Sequence, residues 1–395
     1  MKGPQHMKKT LMKKTLIVNA HVVSPGVDLE KAAVALEGGR IRAVTAGAVP
    51  KAGFDEVVDL EGRLLLPGFI DVHLHGACGF DVCDATPEAI ETIASAKLAE
   101  GCTSFLPTTL TVANETLRAA ARAVAAYRED MRFAKALGLH LEGPFINPAC
   151  CGAQNPAFVR APSIREVDGI ARIAPVKLVS FAPETRGGAA FAAACLARGI
   201  VPSCGHTGAT FAQFLPAYDA GLRHLTHFCN QMSRLHHREI GVVGAGFLLD
   251  DLNAEVICDR IHLCDDMLRL VFWKRDLAHV QMITDSLRCS HCADGYAFEM
   301  GGLKVRLEKG EARLVEGGNL AGSTLWFNKG LQNLVEVTGL PLKDLVRVTS
   351  WNQAIELGLG KTLGKVARGY AADLVALDPE TFDVRAVFVD GARRI

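Results

Sequence analysis

Two histidines, His73 and His75, close an apolar, β-prone run that begins at Gly68. Side chains two positions apart on a strand project to the same face. Imidazole nitrogens are common ligands of zinc and iron, so two of them on one face are suited to bind a metal ion. The spacing therefore predicts half of a metal site at the mouth of a buried strand.

Four more acidic or imidazole side chains follow other short apolar runs. Gly143 and Pro144 interrupt the chain after one of them, and small residues surround another, which leaves room for a ligand. The four residues are Glu142, His206, His227 and Asp285. An isolated histidine is more often a core or surface residue, but we interpret these residues as ligands because each falls at a predicted strand end.

Six ligands exceed the four that one tetrahedral ion needs, so the simplest arrangement is two divalent ions, zinc or iron, in each chain. In that arrangement Glu142 bridges the ions or serves either of them. The first ion takes His206 and His227, and the second takes His73, His75 and Asp285. Cys204 and Cys229 could also bind metal, but small buried core residues are the favoured interpretation.

These ligands indicate a metallohydrolase. A divalent ion lowers the pKa of bound water toward ~7 and polarises a carbonyl group, which amide hydrolysis at neutral pH requires. A shared hydroxide would be the nucleophile. If Asp285 contacts that water, it can accept its proton and pass it to the leaving amine, as a general acid/base.

An alternation of strands and helices must position these ligands. The predicted strands are 67–74, 103–108, 137–142, 176–182, 200–205, 223–227, 254–258 and 280–285, with helices over 87–100, 115–127 and 191–198 among them. Eight repeats favour a TIM-like (β/α)₈ barrel, which collects functional residues at the carboxyl ends of its strands. A doubly wound open sheet is the alternative, but no G-x-G-x-x-G motif follows the first strand.

Both ends of the chain read as short strands separated by turns. We expect residues 15–66 and 357–395 to form one small β-sandwich domain, with the catalytic barrel over 67–356. The basic first fourteen residues lack the apolar core of a secretory signal. We expect residues 1–14 to be a disordered leader.

Composition excludes several classes of partner. The 395 residues carry 43 Lys plus Arg and 43 Asp plus Glu, so no net field favours nucleic acid or an anionic membrane. No stretch approaches the ~20 apolar residues of a membrane span. The 12 scattered cysteines are typical of reduced thiols in a cytoplasmic protein, and the single C-x-x-C at Cys289 is weak evidence for a zinc knuckle or redox pair.

Together, the motifs resemble the amidohydrolase superfamily and, within it, the N-acetylglucosamine-6-phosphate deacetylases. The matching segments are 66–76, 140–145, 205–207, 226–232, 283–285, 318–323 and 369–375. The resemblance implies metal-dependent hydrolysis of the acetamide of N-acetylglucosamine 6-phosphate to glucosamine 6-phosphate and acetate. It also implies that the protein is a homodimer. Its only other partner would be the substrate, a small amino sugar phosphate.

The resemblance also implies residues that contact the substrate. They are Ala153, Gln154, Asn230, Gln231, Arg238, His262, Leu320, Ala321 and Gly322, with Arg238 binding phosphate. Gln154 stands where related sequences carry a histidine that polarises the acyl carbonyl, and an amide cannot carry that charge. Arg260 and Arg288 are further departures that suggest an altered anion site.

Those departures leave two alternatives to the favoured function. One is an amidohydrolase that deacylates a different N-acyl amino sugar, either an epimer or an unphosphorylated one. The other is a non-catalytic protein with the same fold, although such a protein would be expected to have lost some of the six ligands.

Overall fold

Eight parallel strands surround the centre of the molecule in the computed structural model, which describes residues 13–395. They are β1 (Phe69–Leu74), β2 (Cys102–Thr109), β3 (Leu139–Glu142), β4 (Val176–Phe181), β5 (Val201–Cys204), β6 (His224–Leu225), β7 (Asn253–Ile257) and β8 (Val280–Ile283). Each strand pairs in parallel with the next, from β1 to β8. A hydrogen bond from the Asp285 amide to the His73 carbonyl, 2.8 Å long, joins the last strand to the first.

Helices follow the strands in the order that a (β/α)₈ barrel requires. They are α1 (Pro87–Ala99), α2 (Asn114–Glu129), α3 (Ile164–Ala171), α4 (Gly188–Leu196), α5 (Phe211–Asp219), α6 (Gly241–Leu248), α7 (Asp265–Lys274) and α8 (Phe327–Thr338). Helix α2 shows why they pack outside the barrel, because it buries Leu117, Ala121 and Val124 along one face. The predicted barrel is confirmed, and the doubly wound alternative is wrong.

Two short helices, α9 (Leu342–Leu345) and α10 (Trp351–Glu356), lead from the barrel back to the other end of the chain. The α10 segment also contacts the barrel, because the side-chain amide of Asn352 donates to the Val280 carbonyl at 2.7 Å. Within residues 13–395, no helix combines the length and the apolar character that crossing a membrane requires.

Strands from both ends of the chain form a second sheet. Its members are Lys14–Ser24, Val27–Glu37, Arg40–Ala46, Glu56–Asp59, Leu64–Pro67, Leu374–Leu377, Val384–Val389 and Ala392–Arg393. Leu64–Pro67 pairs with Lys14–Ser24 on one side and with Leu374–Leu377 on the other, which joins the two termini. A separate core that includes Ile17 and Phe388 packs within this sheet. Residues 1–12 of the predicted leader lie outside the described residues.

A three-stranded antiparallel sheet between β8 and α8 was not among the predicted elements. It comprises Ala297–Met300, Leu303–Glu308 and Glu311–Leu314. The middle strand alternates apolar and charged residues with the period of two that a half-buried strand shows. This insertion supplies Met300 and Arg313 to the cavity described below.

Candidate active site

The six predicted ligands lie together at the carboxyl end of the barrel, around Glu142. This residue ends β3, and its Oε1 lies 3.0 Å from His227 Nε2, 3.2 Å from His206 Nε2 and 3.3 Å from His73 Nε2. Its Oε2 lies 3.1 Å from His75 Nε2. One carboxylate therefore contacts four imidazoles from the ends of three strands, β1, β5 and β6.

Asp285 lies on the side of the cluster that holds the first histidine pair. Its Oδ1 is 3.3 Å from His75 Nε2 and 3.5 Å from His73 Nε2. Glu142 thus belongs to two groups of side chains, one with His73 and His75 and the other with His206 and His227. The predicted partition of ligands between two ions stays a prediction.

Backbone conformation directs several of these side chains into the barrel mouth. His206, His227 and Asp285 each follow a strand by two residues and have positive φ angles of 48°, 32° and 50°. Non-glycine residues rarely adopt this conformation, and such strain concentrates at functional sites. The lack of a side chain at Gly322 lets its backbone pack close to Asp285. A Cβ at this position would lie only 2.8 Å from the Asp285 carbonyl oxygen.

Backbone carbonyl groups determine which ring nitrogen of His206 and of His75 carries the proton. His206 Nδ1 lies 2.9 Å from the carbonyl oxygen of Cys150, and His75 Nδ1 lies 3.2 Å from that of Thr108. A carbonyl only accepts, so each Nδ1 carries the proton. When the rings are neutral, the Nε2 lone pairs then face the Glu142 carboxylate oxygens. Both groups are acceptors and repel each other, unless a cation binds between them.

A buried chain of ion pairs supports the cluster from below. Glu255, on β7, accepts from His73 Nδ1 at 2.8 Å and from the His227 amide at 3.0 Å. Its other oxygen lies 3.0 Å from His224 Nε2, and His224 Nδ1 lies 2.8 Å from Glu356 on α10. Burial lowers the pKa of His224, but Glu356 and Glu255 outweigh burial and raise that pKa to about 10.

Without a cation, the crowded carboxylates hold protons on the first histidine pair, His73 and His75. Burial lowers the pKa of His75, but Asp285 and Glu142 more than compensate and raise that pKa to about 9. Burial raises the pKa of Asp285, but His73 and His75 outweigh burial and lower it below the ordinary value. The site therefore favours ionised carboxylates that face positive charge, a role that a metal ion can fill.

A cleft of about 330 Å³ opens above the cluster. Its wall includes seven of the nine predicted substrate contacts: Ala153, Gln154, Asn230, Gln231, His262, Leu320 and Gly322. His75, Glu142 and Asp285 reach the same cavity from the cluster. A small polar ligand in this cleft would lie directly against the candidate metal ligands.

Comparison with known proteins identifies the family. The sequence profile of the amidohydrolase family matches residues 64–394. The chain belongs to the amidohydrolase family.

Individual relatives of this amidohydrolase are deacetylases of amino sugar phosphates. The N-acetylglucosamine-6-phosphate deacetylase of Lysinibacillus sphaericus is 32% identical over 366 residues, 92% of this chain and 93% of the relative. The N-acetylgalactosamine-6-phosphate deacetylase of Escherichia coli O157:H7 is 33% identical over 338 residues, 85% and 89% of the two chains. The crystal structure of a Mycobacterium smegmatis N-acetylglucosamine-6-phosphate deacetylase mutant, in complex with N-acetylglucosamine 6-phosphate, superposes with a TM-score of 0.89. It is 29% identical, with 96% of this chain and 99% of that one covered.

Family membership implies a divalent metal, and the geometry of this amidohydrolase fits one. His73 Nε2 is fully buried and forms no hydrogen bond, although oxygens of Glu142 and Asp285 lie within 3.5 Å. Ligand atoms of His73, His75 and Glu142 lie mutually within 4.8 Å, as do those of Glu142, His206 and His227. Imidazole and carboxylate atoms that converge in this way are suited to coordinate a cation.

Gln154 has both ends of its amide engaged by the protein. Its Nε2 donates to Glu142 Oε2, and its Oε1 accepts from the Thr111 amide at 2.7 Å. The side chain lines the cleft, but its amide nitrogen is hydrogen-bonded to the Glu142 carboxylate. This arrangement orients the central ligand of the cluster, a function that follows from contacts the sequence did not reveal.

Two predicted substrate contacts do not line the cleft. Arg238 lies on the surface, where its guanidinium contacts His237 Nε2 at 2.6 Å. Ala321 is buried, and its amide donates to the Ala312 carbonyl at 3.0 Å. The phosphate-binding role of Arg238 stays a prediction. Arg260 and Arg288 also lie outside the cleft lining, paired with Asp265 and Asp84.

Several residues of the site escaped the sequence analysis. Arg313, Met300 and Asn319 line the cleft from the three-stranded insertion and the loop after it. The alternating pattern of that insertion was the signal that could have found them. No such signal exists in the sequence for Glu255, because a single acidic residue within strand β7 does not indicate that its side chain contacts His73.

Proposed function

We propose that this amidohydrolase removes the acetyl group of N-acetylglucosamine 6-phosphate by hydrolysis, releasing glucosamine 6-phosphate and acetate. The observation that carries the proposal is the Glu142-centred cluster, with Asp285 beside it, at the floor of a polar cleft. The M. smegmatis relative, whose crystal structure holds this sugar phosphate, supports the choice of substrate.

We infer two ions in each subunit, zinc or iron. Two sets of ligands share Glu142, one with His73 and His75 and the other with His206 and His227. Two-ion sites in hydrolases commonly share a ligand in this way, and nitrogen and carboxylate ligands suit both metals. The bound metal supplies Lewis acidity, which lowers the pKa of water and polarises a carbonyl group.

Asp285 is the residue that moves protons in this proposal. Its lowered pKa keeps the carboxylate ionised at neutral pH, and it reaches the cleft. It accepts a proton from the attacking water as the C–O bond forms at the acetamide carbonyl carbon. It then returns that proton to the sugar nitrogen as the C–N bond breaks, so the free amine and acetic acid leave, and the acid ionises to acetate at neutral pH.

The outer part of the cleft is the proposed binding region for the sugar and its phosphate. Asn230 and Gln231 line one wall and offer amide groups to hydroxyls. His262 and Arg313 line the same cleft and can carry positive charge for the phosphate. His262 is held by Asp259, whose Oδ2 lies 2.7 Å from His262 Nδ1.

Acetate release from N-acetylglucosamine 6-phosphate by protein loaded with zinc or iron tests the proposal. Activity should depend on added metal and disappear after chelation. Metal-replete protein that releases no acetate would refute the deacetylase function. Metal analysis of the same sample would show whether each subunit holds one ion or two.

N-acetylgalactosamine 6-phosphate is the second candidate substrate. The E. coli relative named for this epimer is 33% identical, as similar as the N-acetylglucosamine-6-phosphate deacetylases. The two sugars differ only at one hydroxyl, and Asn230 and Gln231 can donate to or accept from either epimer. A kcat/KM at least tenfold higher for the galactose epimer would replace the first assignment with the second.

We further infer that the protein acts as a homodimer in the cytoplasm. Its family resemblance supports the dimer, and its 12 free cysteines fit a reducing compartment. Light scattering coupled to size-exclusion chromatography tests the assembly, with a mass near 42.3 kDa contradicting the dimer.

A further inference from the structure

A second cavity, of about 450 Å³, lies outside the catalytic cleft. It forms where the turn at residues 25–26 of the terminal sheet meets the segment that carries α9 and α10. No residue that lines it also lines the catalytic cleft. The charged and aromatic members of its wall are Lys343, Arg347, Lys365, Trp351, Asp276 and Asp344.

Two of the cations lie against one aromatic ring. Lys365 Nζ is 3.4 Å from the centroid of the Trp351 ring, and the Arg347 guanidinium carbon is 5.4 Å from it. The ring attracts both cations, while their like charges repel each other. Burial lowers the pKa of Lys365, and the charge of Arg347 lowers it further.

None of the three cations has a carboxylate within 4 Å among residues 13–395. Arg347 uses its Nε to donate to the Asn352 side chain at 3.1 Å, which leaves its two terminal nitrogens for another acceptor. Lys343 is exposed at the edge of the cavity. Arg347 and Lys365 are half-buried, and two such cations without a counterion are unusual because most buried or half-buried charges are paired.

The two acids of the wall reduce its charge but do not pair with the cations. Asp276 uses its Oδ1 to cap a turn, accepting from the Ala278 amide at 2.8 Å. Asp344 forms no ion pair with the cavity's cations in the described part of the chain. The wall therefore carries a net charge of plus one, with its positive groups free to bind.

We propose that this cavity is a second ligand site, which binds a phosphate group through Arg347, Lys365 and Lys343. The two free nitrogens of a guanidinium match two phosphate oxygens, and two lysines add further positive charge on the same wall. The cavity has the size of sites for small metabolites, so it can hold either inorganic phosphate or a phosphorylated sugar.

Titration of the full-length, metal-loaded enzyme with inorganic phosphate tests this site by calorimetry at constant ionic strength. The double variant R347Q/K365M should bind phosphate at least tenfold more weakly than the wild type at one of its sites. The matched control is Lys361→Met, an exposed lysine outside the cavity wall, which should bind like the wild type. Phosphate bound in the catalytic cleft is unchanged in both variants and is subtracted.

A second variant keeps the proposal testable if R347Q/K365M does not fold. Lys343→Met removes an exposed cation without touching the Trp351 ring, and a loss of affinity of about threefold or more is expected. Identical phosphate binding by the wild type, R347Q/K365M and K343M would overturn the proposal. So would the absence of saturable binding at this site below about 10 mM.

A parallel arm with glucose 6-phosphate distinguishes the source of the phosphate. Tighter binding of glucose 6-phosphate than of inorganic phosphate, lost in R347Q/K365M, assigns the site to a phosphorylated metabolite. Equal or weaker binding assigns it to inorganic phosphate. The experiment measures binding, so its result does not depend on whether the protein has the deacetylase activity.

Discussion

The amide of Asp285 donates a 2.8 Å hydrogen bond to the carbonyl of His73. Beside it, Thr284 donates through its hydroxyl to the Asp71 carboxylate at 2.5 Å. These bonds join the last strand of the barrel to the first. Because they lie at the site, the contact that closes the barrel also sets the distance between the proposed proton carrier and the first histidine pair.

Asp285→Asn should lower kcat by about 10²–10⁴-fold, because an amide cannot accept and return a proton. Metal content should change little, since four imidazoles and Glu142 remain. Acetate release and metal analysis on the same sample measure both effects. Asp266→Asn, an exposed aspartate with 92% of its side chain accessible, is the control. Near-normal turnover in D285N would contradict the assigned role.

Glu255→Gln should weaken metal binding by about 10–100-fold, the usual effect of removing a carboxylate that orients a histidine ligand. The carboxylate holds His73 Nδ1 at 2.8 Å, and an amide in its place loses the charge on that contact. Competition with a chelator measures the metal affinity. The exposed Glu380→Gln variant should match the wild type, and equal affinities in all three proteins would rule out the orienting role.

Substrate affinity should fall as the pH rises through the pKa of His262. Burial lowers this pKa, but Asp259 outweighs burial and raises it above 6.5, so the ring stays charged to a higher pH than usual. The charged form attracts phosphate and exists below the pKa, so KM should increase on the alkaline side. His262→Gln should abolish this dependence, and unphosphorylated N-acetylglucosamine should not show it. A pH profile of KM that H262Q leaves intact would refute the assignment.

Arg313→Met should raise KM for the phosphorylated substrate about tenfold or more, with a smaller effect on kcat. A charged hydrogen bond to phosphate contributes roughly 1.5–3 kcal/mol, and the methionine keeps much of the side-chain volume. Arg306→Met, on an exposed position of the same insertion, is the control. If both variants show the same kinetics as the wild type, Arg313 takes no part in binding.

Lys97→Met should destabilise the fold by about 3–5 kcal/mol, because it leaves buried carboxylates without their partner. Lys97 Nζ lies 3.0 Å from Asp71 and 2.6 Å from Glu100, and all three side chains are inaccessible to solvent. Urea unfolding measures the change, with the exposed Lys309→Met as control. A loss below 1 kcal/mol would show that the barrel tolerates the unpaired acids.

The barrel and the convergence of the six candidate ligands could be predicted because their signals are local. Apolar runs of strand length, followed by Glu142 or by the pair His73 and His75, carry both the fold and the position of the ligand on it. A strand end in a parallel barrel places its next polar residue at one common rim, so type and spacing were enough. The three-stranded insertion was missed because its short strands were not weighed against the strong barrel repeats.

Other features depend on contacts between distant segments. Gln154 was expected to act on the substrate, but its amide joins Glu142 to Thr111. Arg238 does not line the cleft of its own chain, while Arg313 does. No local pattern encodes such contacts, because each depends on where a loop of another segment is held.

Residue types and spacing alone predicted the fold class, the convergence of the six candidate ligands and the hydrolytic chemistry, because each follows from a short stretch of chain. Only the tertiary structure decided the partners of those ligands. Glu255 beneath His73, Gln154 on Glu142, and the unpaired cations around Trp351 all arise where segments far apart in sequence pack together. Burial and distance set these interactions, and neither quantity can be read from one segment.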